Sequence, residues 1–299
     1  MAPQLQEIFL NKNRLLDTNE ETCLKVCLIN GMIMGGGAGL SMNGKFRVVT
    51  ENTIFAMPEA SLGLFPDVGA SYFLSRLSGF FGEYIGLTGK RLDGAEMVAC
   101  GLATHFVLST NLPLLEEELN KVDSSDLTII STIIDAFSLT SILKEDSVYR
   151  RCRMDIINKC FSKGTVEEIL SALEYEAINK TDDWIVSAVK SLKTSSPMGL
   201  KVFLKSIREG RTQGIDQCLI REYKMACHAL RRTVTDDFFE GCRAALFDKD
   251  KKPKWEPSKL ELVSKEMVDQ YFIAVDSDDW EELQLPIRSN STKLATAKL

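Results

Sequence analysis

Three consecutive glycines, Gly35, Gly36 and Gly37, constrain the fold of this chain more than any other feature of its sequence. They follow two short apolar runs, residues 24–29 and 32–34, which an Asn-Gly turn separates. Apolar runs of this length, bounded by turn residues, are typical of buried strands. The order predicts strand, glycine loop and helix start, an arrangement that presents backbone N–H groups to a ligand. Close packing of the backbone is the alternative reason for such a triplet.

The rest of the chain divides into a mixed α/β part and a helical part. Residues 46–50 and 53–56 are rich in β-forming side chains and are separated by two polar residues, so we expect a hairpin. Thr165 and Glu168 form a capping box, and apolar residues follow at helical spacing there and again over residues 184–192. We therefore expect an α/β region over residues 1–110, a helical region over 111–260 that packs on it, and a weakly structured tail over 261–299.

A loop punctuated by proline and glycine, residues 57–69, carries two carboxylates, Glu59 and Asp67, eight positions apart. Acids in apolar surroundings tend to have raised pKa values and can act as general acids, general bases or nucleophiles. The structural alternative is that Glu59 satisfies local backbone donors and Asp67 caps the following helix. The loop alone does not decide between the two interpretations.

Composition excludes several classes of partner and cofactor. The net charge is -6 and the charges are interspersed, which argues against a nucleic-acid surface or a polybasic membrane patch. No segment approaches the ~18 apolar residues that span a bilayer. The eight cysteines contain no Cys-x-x-Cys pair and the only histidines are His105 and His228, so neither a metal site nor a disulfide framework is expected. A small-molecule partner fits best.

The glycine loop, the two β-rich runs and the acidic loop, in this order and spacing, resemble the crotonase superfamily. The resemblance implies an α/β fold, a crotonase-like spiral of ββα units that is incomplete at its amino terminus and is followed by a mainly helical carboxy-terminal region. It also implies that a backbone N–H of the glycine loop stabilises an enolate or a tetrahedral oxyanion of an acyl-CoA thioester. Gly36 matches that donor, with Gly35 and Gly37 beside it in the substrate-binding loop.

Within the superfamily, the sequence is similar to the 3-hydroxyisobutyryl-CoA hydrolase branch. Gly39 stands where enoyl-CoA hydratases carry a catalytic Glu, which makes hydration an unfavoured reaction. Glu59 matches the remaining catalytic carboxylate, and Phe-Pro-Asp-Val-Gly at positions 65–69 resembles the branch signature in which Asp67 is the second catalytic acid. Segments at positions 196–197, 206–211, 222–223, 237–241 and 254–255 also look like this branch, so the resemblance covers roughly residues 26–257.

This resemblance implies hydrolysis of 3-hydroxyisobutyryl-CoA to 3-hydroxyisobutyrate and coenzyme A, a step of valine catabolism. Coenzyme A is then part of the substrate, and no separate cofactor is expected. Gly36 would donate its N–H to the thioester oxygen, and Glu59 would attack the carbonyl or activate water. Asp67 would bind the substrate hydroxyl or protonate the leaving thiolate. The alternatives are another crotonase reaction on an acyl-CoA, or a non-catalytic form that binds coenzyme A.

The resemblance also bears on the two ends of the chain. Family members begin with several strands ahead of Met1, including a loop that supplies a second oxyanion donor, so we expect a truncated relative with a weakened site and an exposed sheet edge. At the other end, Ala297-Lys298-Leu299 resembles the Ser-Lys-Leu address that peroxisomal import receptors read. We expect a protein of the plant peroxisomal type, with the mitochondrion or the cytosol as alternatives, and a homo-oligomer is compatible with it.

Overall fold

Two short β-sheets organise the first part of the chain in the computed structural model, which describes residues 26–124, 126–140, 143–145, 147, 149, 151–179, 182–275 and 280–285. The first sheet has the order β1-β3-β6 and the second the order β2-β4-β5. All pairs are parallel except β4 with β5. The strands are β1 Val26–Ile29, β2 Met32–Met34, β3 Phe46–Val49, β4 Ile54–Ala56, β5 Leu92–Asp93 and β6 His105–Phe106.

The strands repeat as two successive turns of a spiral. After β1 and β2 comes helix α1, Gly36–Met42, and after β3 and β4 comes a 3-10 helix, Glu59–Leu62. Each strand of the second turn lies beside its counterpart in the first, with Val26 opposite Phe46 and Met32 opposite Ile54. This arrangement confirms the predicted crotonase-like spiral.

The predicted hairpin between residues 46–50 and 53–56 is wrong, because β3 and β4 belong to different sheets. Thr53 forms the corner between them. Its hydroxyl donates to the carbonyl of Ile29 at 2.7 Å and accepts from the N–H of Thr50 at 2.9 Å, both in a buried environment. Parallel strands are usually buried on both faces, so pairing with the previous turn of the spiral covers more apolar surface than a hairpin would.

Helices dominate the described residues after the acidic loop, as predicted. They are α2 Ala70–Phe73, α3 Phe81–Thr88, α4 Gly94–Cys100, α5 Leu112–Asn120, α6 Leu127–Phe137, α7 Arg151–Phe161, α8 Val166–Asn179, α9 Asp183–Thr194, α10 Pro197–Gly210, α11 Ile215–Arg231, α12 Asp237–Cys242 and α13 Lys265–Gln270, with 3-10 turns at Leu74–Arg76, Ser109–Asn111 and Leu260–Leu262 and a π-turn at Arg243–Phe247. The capping box before α8 is confirmed, because the N–H of Glu168 donates to the Thr165 hydroxyl and its carboxylate accepts the N–H of Thr165. Helix α9 buries Trp184 and Leu192, which confirms its amphipathic pattern.

One apolar core joins the spiral to the helices, with Phe55 of β4 and Phe203 of α10 in the same buried cluster. At its centre, the ring of Tyr84 meets Phe161 and Trp184 edge-on, with ring centroids 5.4 and 5.8 Å away. Such pairs add about 0.5–1.5 kcal/mol beyond the area they bury. A smaller cluster packs α5 and α6 against β3. The division into three regions at residues 110 and 260 stays a prediction.

The segment after residue 260 contains more structure than its weak sequence pattern suggests. Helix α13 begins after Ser264, whose hydroxyl accepts the N–H of Met267, and the buried ring of Tyr271 follows it. Ala297-Lys298-Leu299 lies outside the described residues. None of the helices in the described ranges is both long enough and apolar enough to cross a membrane.

Candidate active site

The glycine loop lies between β2 and α1 and exposes its backbone. Gly35 has φ of 52°, a left-handed conformation that side chains disfavour, and it precedes α1 without a side-chain cap. A Cβ atom at Gly35 would lie 3.2 Å from Oε1 of Glu59, whereas at Gly36 it would meet nothing within 4 Å. Gly37 faces the Ile33 side chain of the core. Of the three predicted loop residues, Gly36 is therefore the one whose surroundings are open to a ligand.

Glu59 packs against this loop as a buried and incompletely bonded carboxylate. Its relative exposure is 6%, and its Oε2 atom has no hydrogen-bond partner among the described residues. Burial raises the pKa of Glu59 from 4.5 to about 7; its own backbone N–H opposes the rise, and the negative charge of Asp67 adds to it. Glu59 therefore exchanges its proton near neutral pH, as a general base or nucleophile at this position requires.

Asp67 completes the pair, close enough for its charge to affect Glu59. Burial raises the pKa of Asp67 as well, and its own backbone N–H partly opposes the rise. The structural alternative for this residue is not observed, because α2 has no side-chain cap from Asp67. The N–H groups of Gly69 and Ser71 donate to Glu222 instead. The carboxyl group of Asp67 is thus not used to cap the helix.

Gly39 couples the glycine loop to the acidic loop. A Cβ atom at Gly39 would lie 2.5 Å from Cβ of Val68 and 2.7 Å from its carbonyl oxygen, so no side chain fits there without a backbone shift. Val68 itself has φ of 53°, which is uncommon for a β-branched residue and strains the backbone beside Asp67. The contact holds α1 against the loop that carries both carboxylates.

Ser196 and Asp237 support the carboxylate loop from the helical region, and sequence reasoning assigned them no role. The N–H of Ser196 donates to the carbonyl of Ala60 at 3.0 Å, and its hydroxyl donates to Asp237 at 2.6 Å. A Cβ atom at Gly63 would lie 2.0 Å from the carbonyl oxygen of Asp237, so the two segments are in backbone contact. Burial raises the pKa of Asp237. The only signal in the sequence was that both segments match the hydrolase branch.

Phe65 anchors the middle of the same loop. Its buried ring meets the ring of Tyr271 edge-on, with centroids 5.7 Å apart and planes at 83°. The Tyr271 hydroxyl in turn lies 3.2 Å from that of Thr235. Segments more than 130 residues away in sequence therefore fix the position of Glu59 and Asp67. Among the described residues, no group of three or more His, Cys, Asp and Glu side chains is arranged to hold a metal ion.

Comparison with known proteins decides the family. The sequence model of the enoyl-CoA hydratase/isomerase family matches residues 8–272. This chain belongs to that family. It is 60% identical over 274 residues to the probable 3-hydroxyisobutyryl-CoA hydrolase 2 of Arabidopsis thaliana. The aligned part covers 91% of this chain and 72% of that relative. It is 59% identical over 275 residues to 3-hydroxyisobutyryl-CoA hydrolase 1 of the same plant, with coverage of 92% and 72%.

A solved structure of the family shares the fold. The carnitinyl-CoA dehydratase of Mycobacterium thermoresistibile matches with a TM-score of 0.73 and 31% identity, over 84% of this chain and 68% of that chain. The resemblance to the crotonase superfamily and to its hydrolase branch, and the predicted fold class, are confirmed. The roles of Gly36 as oxyanion donor and of Glu59 and Asp67 as catalytic carboxyl groups stay predictions.

Because burial raises the pKa of Glu59, its ionisation opposes folding, and Glu59→Gln is expected to stabilise the protein at alkaline pH. The folded state holds the proton more tightly than the unfolded state, so this group's contribution is lost as pH rises from about 4.5 to about 7. Glutamine does not ionise, so the variant does not lose this stability as the pH rises. Urea denaturation should show little difference at pH 4.5 and a gain of about 3 kcal/mol in the free energy of unfolding at pH 8.

The control is Glu118→Gln, which removes an exposed carboxylate that pairs with Lys121. It should change stability by less than about 1 kcal/mol at either pH. If the difference in the free energy of unfolding between Glu59→Gln and the parent protein were the same at both pH values, ionisation of buried Glu59 would not be the cause of the stabilisation.

Proposed function

We propose that this chain hydrolyses the thioester of 3-hydroxyisobutyryl-CoA and releases 3-hydroxyisobutyrate and coenzyme A. The observation that carries the proposal is the buried carboxylate of Glu59, with one unbonded oxygen and a pKa of about 7, next to the open backbone of the glycine loop. The two Arabidopsis relatives that carry this enzyme name support the choice of substrate. Breakdown of valine is the process that this substrate class suggests.

The reaction needs a base or nucleophile and a donor for the carbonyl oxygen. The N–H of Gly36 donates to the thioester oxygen, and Glu59 either attacks the carbonyl carbon or removes a proton from the attacking water. The C–S bond then breaks, the acyl group gains the hydroxide of water, and the thiolate takes the remaining proton. One such oxyanion donor typically contributes ~10²- to 10³-fold in rate.

Asp67 is the second carboxyl group of the site, and its charge acts on Glu59. Burial is the main cause of the raised pKa of Glu59, and the negative charge of Asp67 adds to it, so we take Asp67 as ionised when Glu59 loses its proton. An ionised Asp67 accepts a hydrogen bond from the β-hydroxyl of the substrate and thereby orients the acyl group. In its protonated form it can donate to the leaving sulfur instead, and the kinetic comparison below separates these two roles.

Gly39 disfavours the hydratase reaction that other members of the family catalyse. A Glu at this position would place its Cβ atom within 2.7 Å of Val68, so this backbone leaves no room for a second carboxylate on α1. Glu59 is then the carboxylate that remains beside the glycine loop to act on the thioester.

The direct test measures release of free coenzyme A thiol from 3-hydroxyisobutyryl-CoA by the parent protein, Glu59→Gln and Asp67→Asn. Glu59→Gln keeps the shape of the side chain but cannot act as base or nucleophile, so kcat should fall by roughly 10³-fold or more. Asp67→Asn should lower kcat more than it raises KM if Asp67 protonates the thiolate, and should mainly raise KM if it binds the hydroxyl.

Glu83→Gln is the matched control, since Glu83 is a buried carboxylate that pairs with Arg211. Its kcat should stay within about threefold of the parent value. Retained turnover in Glu59→Gln would contradict the assignment. Hydration or isomerisation of an unsaturated acyl-CoA without thiol release would favour another reaction of the family, and binding of coenzyme A without any turnover would favour a non-catalytic protein.

We also propose a peroxisomal location, supported by Ala297-Lys298-Leu299 at the end of the sequence. A fluorescent protein fused to the amino terminus, with the last three residues free, should accumulate in peroxisomes of plant cells. Deleting these three residues should leave the fusion in the cytosol. A fusion that stays diffuse with the tripeptide intact, or that enters mitochondria, would contradict the proposal.

A further inference from the structure

Glu222 on α11 holds the beginning of α2 with both carboxylate oxygens. The N–H of Gly69 donates to Oε2 at 2.5 Å, and the N–H and the hydroxyl of Ser71 donate to Oε1 at 2.8 and 2.5 Å. Glu222 is 2% exposed and lies 153 positions from Gly69. A buried carboxylate that accepts three hydrogen bonds, two of them from backbone N–H groups, is a strong restraint on the segment that donates them.

The neighbouring residue, Arg221, fixes the direction of the Ser71 hydroxyl. Its Nη2 atom donates to the Ser71 oxygen at 2.8 Å and to the carbonyl of Ser206 at 3.0 Å. Because the Ser71 oxygen accepts a hydrogen bond from Arg221, the hydroxyl proton of Ser71 points to Glu222. The charged groups around Glu222 are Arg221 on the same helix, Asp67 on the loop and Glu209 on α10, whose carboxylate lies 3.8 Å from Nη1 of Arg221.

This network determines what is left for Asp67 to bind. An Asp side chain commonly accepts the backbone N–H two residues farther along the chain, which for Asp67 is the N–H of Gly69. That N–H is occupied by Glu222. Without Glu222, the N–H of Gly69 would be left for Asp67 to accept, and that hydrogen bond would occupy one oxygen of the Asp67 carboxylate.

We propose that Glu222 is a positioning residue: by taking the N–H of Gly69 it keeps the carboxylate of Asp67 free for the substrate beside Glu59. This inference rests on the proposed thioester hydrolysis and adds to it a residue that need not touch the substrate. It acts through Gly69 and Asp67, so its contribution depends on Asp67 being present.

The kinetic test is a double-mutant cycle on the full chain, with 3-hydroxyisobutyryl-CoA as the substrate. Glu222→Gln puts an NH₂ group against one of the backbone donors, so it should lower the melting temperature, and at a temperature where the variant is folded it should lower kcat/KM by roughly 10²-fold. In the Asp67→Asn background the same change should alter kcat/KM by less than about threefold. Ser71→Ala removes one of the three hydrogen bonds but leaves that of Gly69 in place, so it should change kcat/KM much less than Glu222→Gln.

The structural test does not depend on turnover and follows the amide resonance of Gly69 in protein labelled with ¹⁵N-glycine. In the parent protein, Asp67→Asn should leave this resonance nearly unmoved, because Glu222 is its acceptor. In Glu222→Gln, Asp67→Asn should shift it clearly, because Asp67 has become the acceptor. Should Glu222→Gln fail to fold, Glu222→Asp carries both measurements, because its shorter side chain withdraws the carboxylate from the N–H of Gly69.

Each outcome has a separate meaning. A parental kcat/KM in folded Glu222→Gln would overturn the role of Glu222. So would losses in kcat/KM that multiply when Glu222→Gln and Asp67→Asn are combined, or a Gly69 resonance that does not respond to Asp67→Asn in the Glu222→Gln background. Absence of thiol release from the parent protein would instead overturn the proposed hydrolysis, while the Gly69 resonance would still decide whether Glu222 controls the hydrogen bonding of Asp67.

Discussion

The burial of one carboxylic acid, Glu59, is the constraint on which the rest of this structure depends. Moving a carboxylate out of water without full compensation by hydrogen bonds is costly, so its protonated form is favoured and its pKa rises to about 7. The fold accepts this cost at a place where the backbone of Gly36 is open to a ligand. A carboxyl group whose pKa lies near neutral pH can act as the general base in thioester hydrolysis.

Keeping such a group in place requires support from distant parts of the sequence. The loop that carries Glu59 and Asp67 has little regular structure of its own, and contacts from the helical region hold it. Ser196 and Asp237 support its first half, Phe65 packs on Tyr271, and Glu222 binds its end. Because these contacts come from separate segments of the helical region, that region forms the outer layer of the active site as well as part of the core.

Features that depend on residues close together in the sequence could be predicted from it. Contacts between residues far apart in the sequence could not. The glycine loop, the two carboxylates, the capping box of α8 and the amphipathic α9 depend on short spacings that propensity and periodicity report directly. The pairing of β3 with β1 instead of β4, and the contact of Glu222 with Gly69, are decided by which surfaces meet in three dimensions. A turn of two polar residues is compatible with both a hairpin and a corner, and only the buried hydrogen bonds of Thr53 distinguish them. Helix α13 is six residues long, too short for its period to be recognised.

The most direct test of the account is the pKa of Glu59 itself, measured by ¹³C NMR of carboxyl-labelled glutamate between pH 4 and 9 and assigned by the loss of the signal in Glu59→Gln. We expect a midpoint near 7. In Asp67→Asn the midpoint should move down, because a negative charge that opposes ionisation of Glu59 has been removed. A midpoint near the ordinary 4.5, or one that Asp67→Asn leaves unchanged, would contradict the assignment of Glu59 as a buried acid beside Asp67.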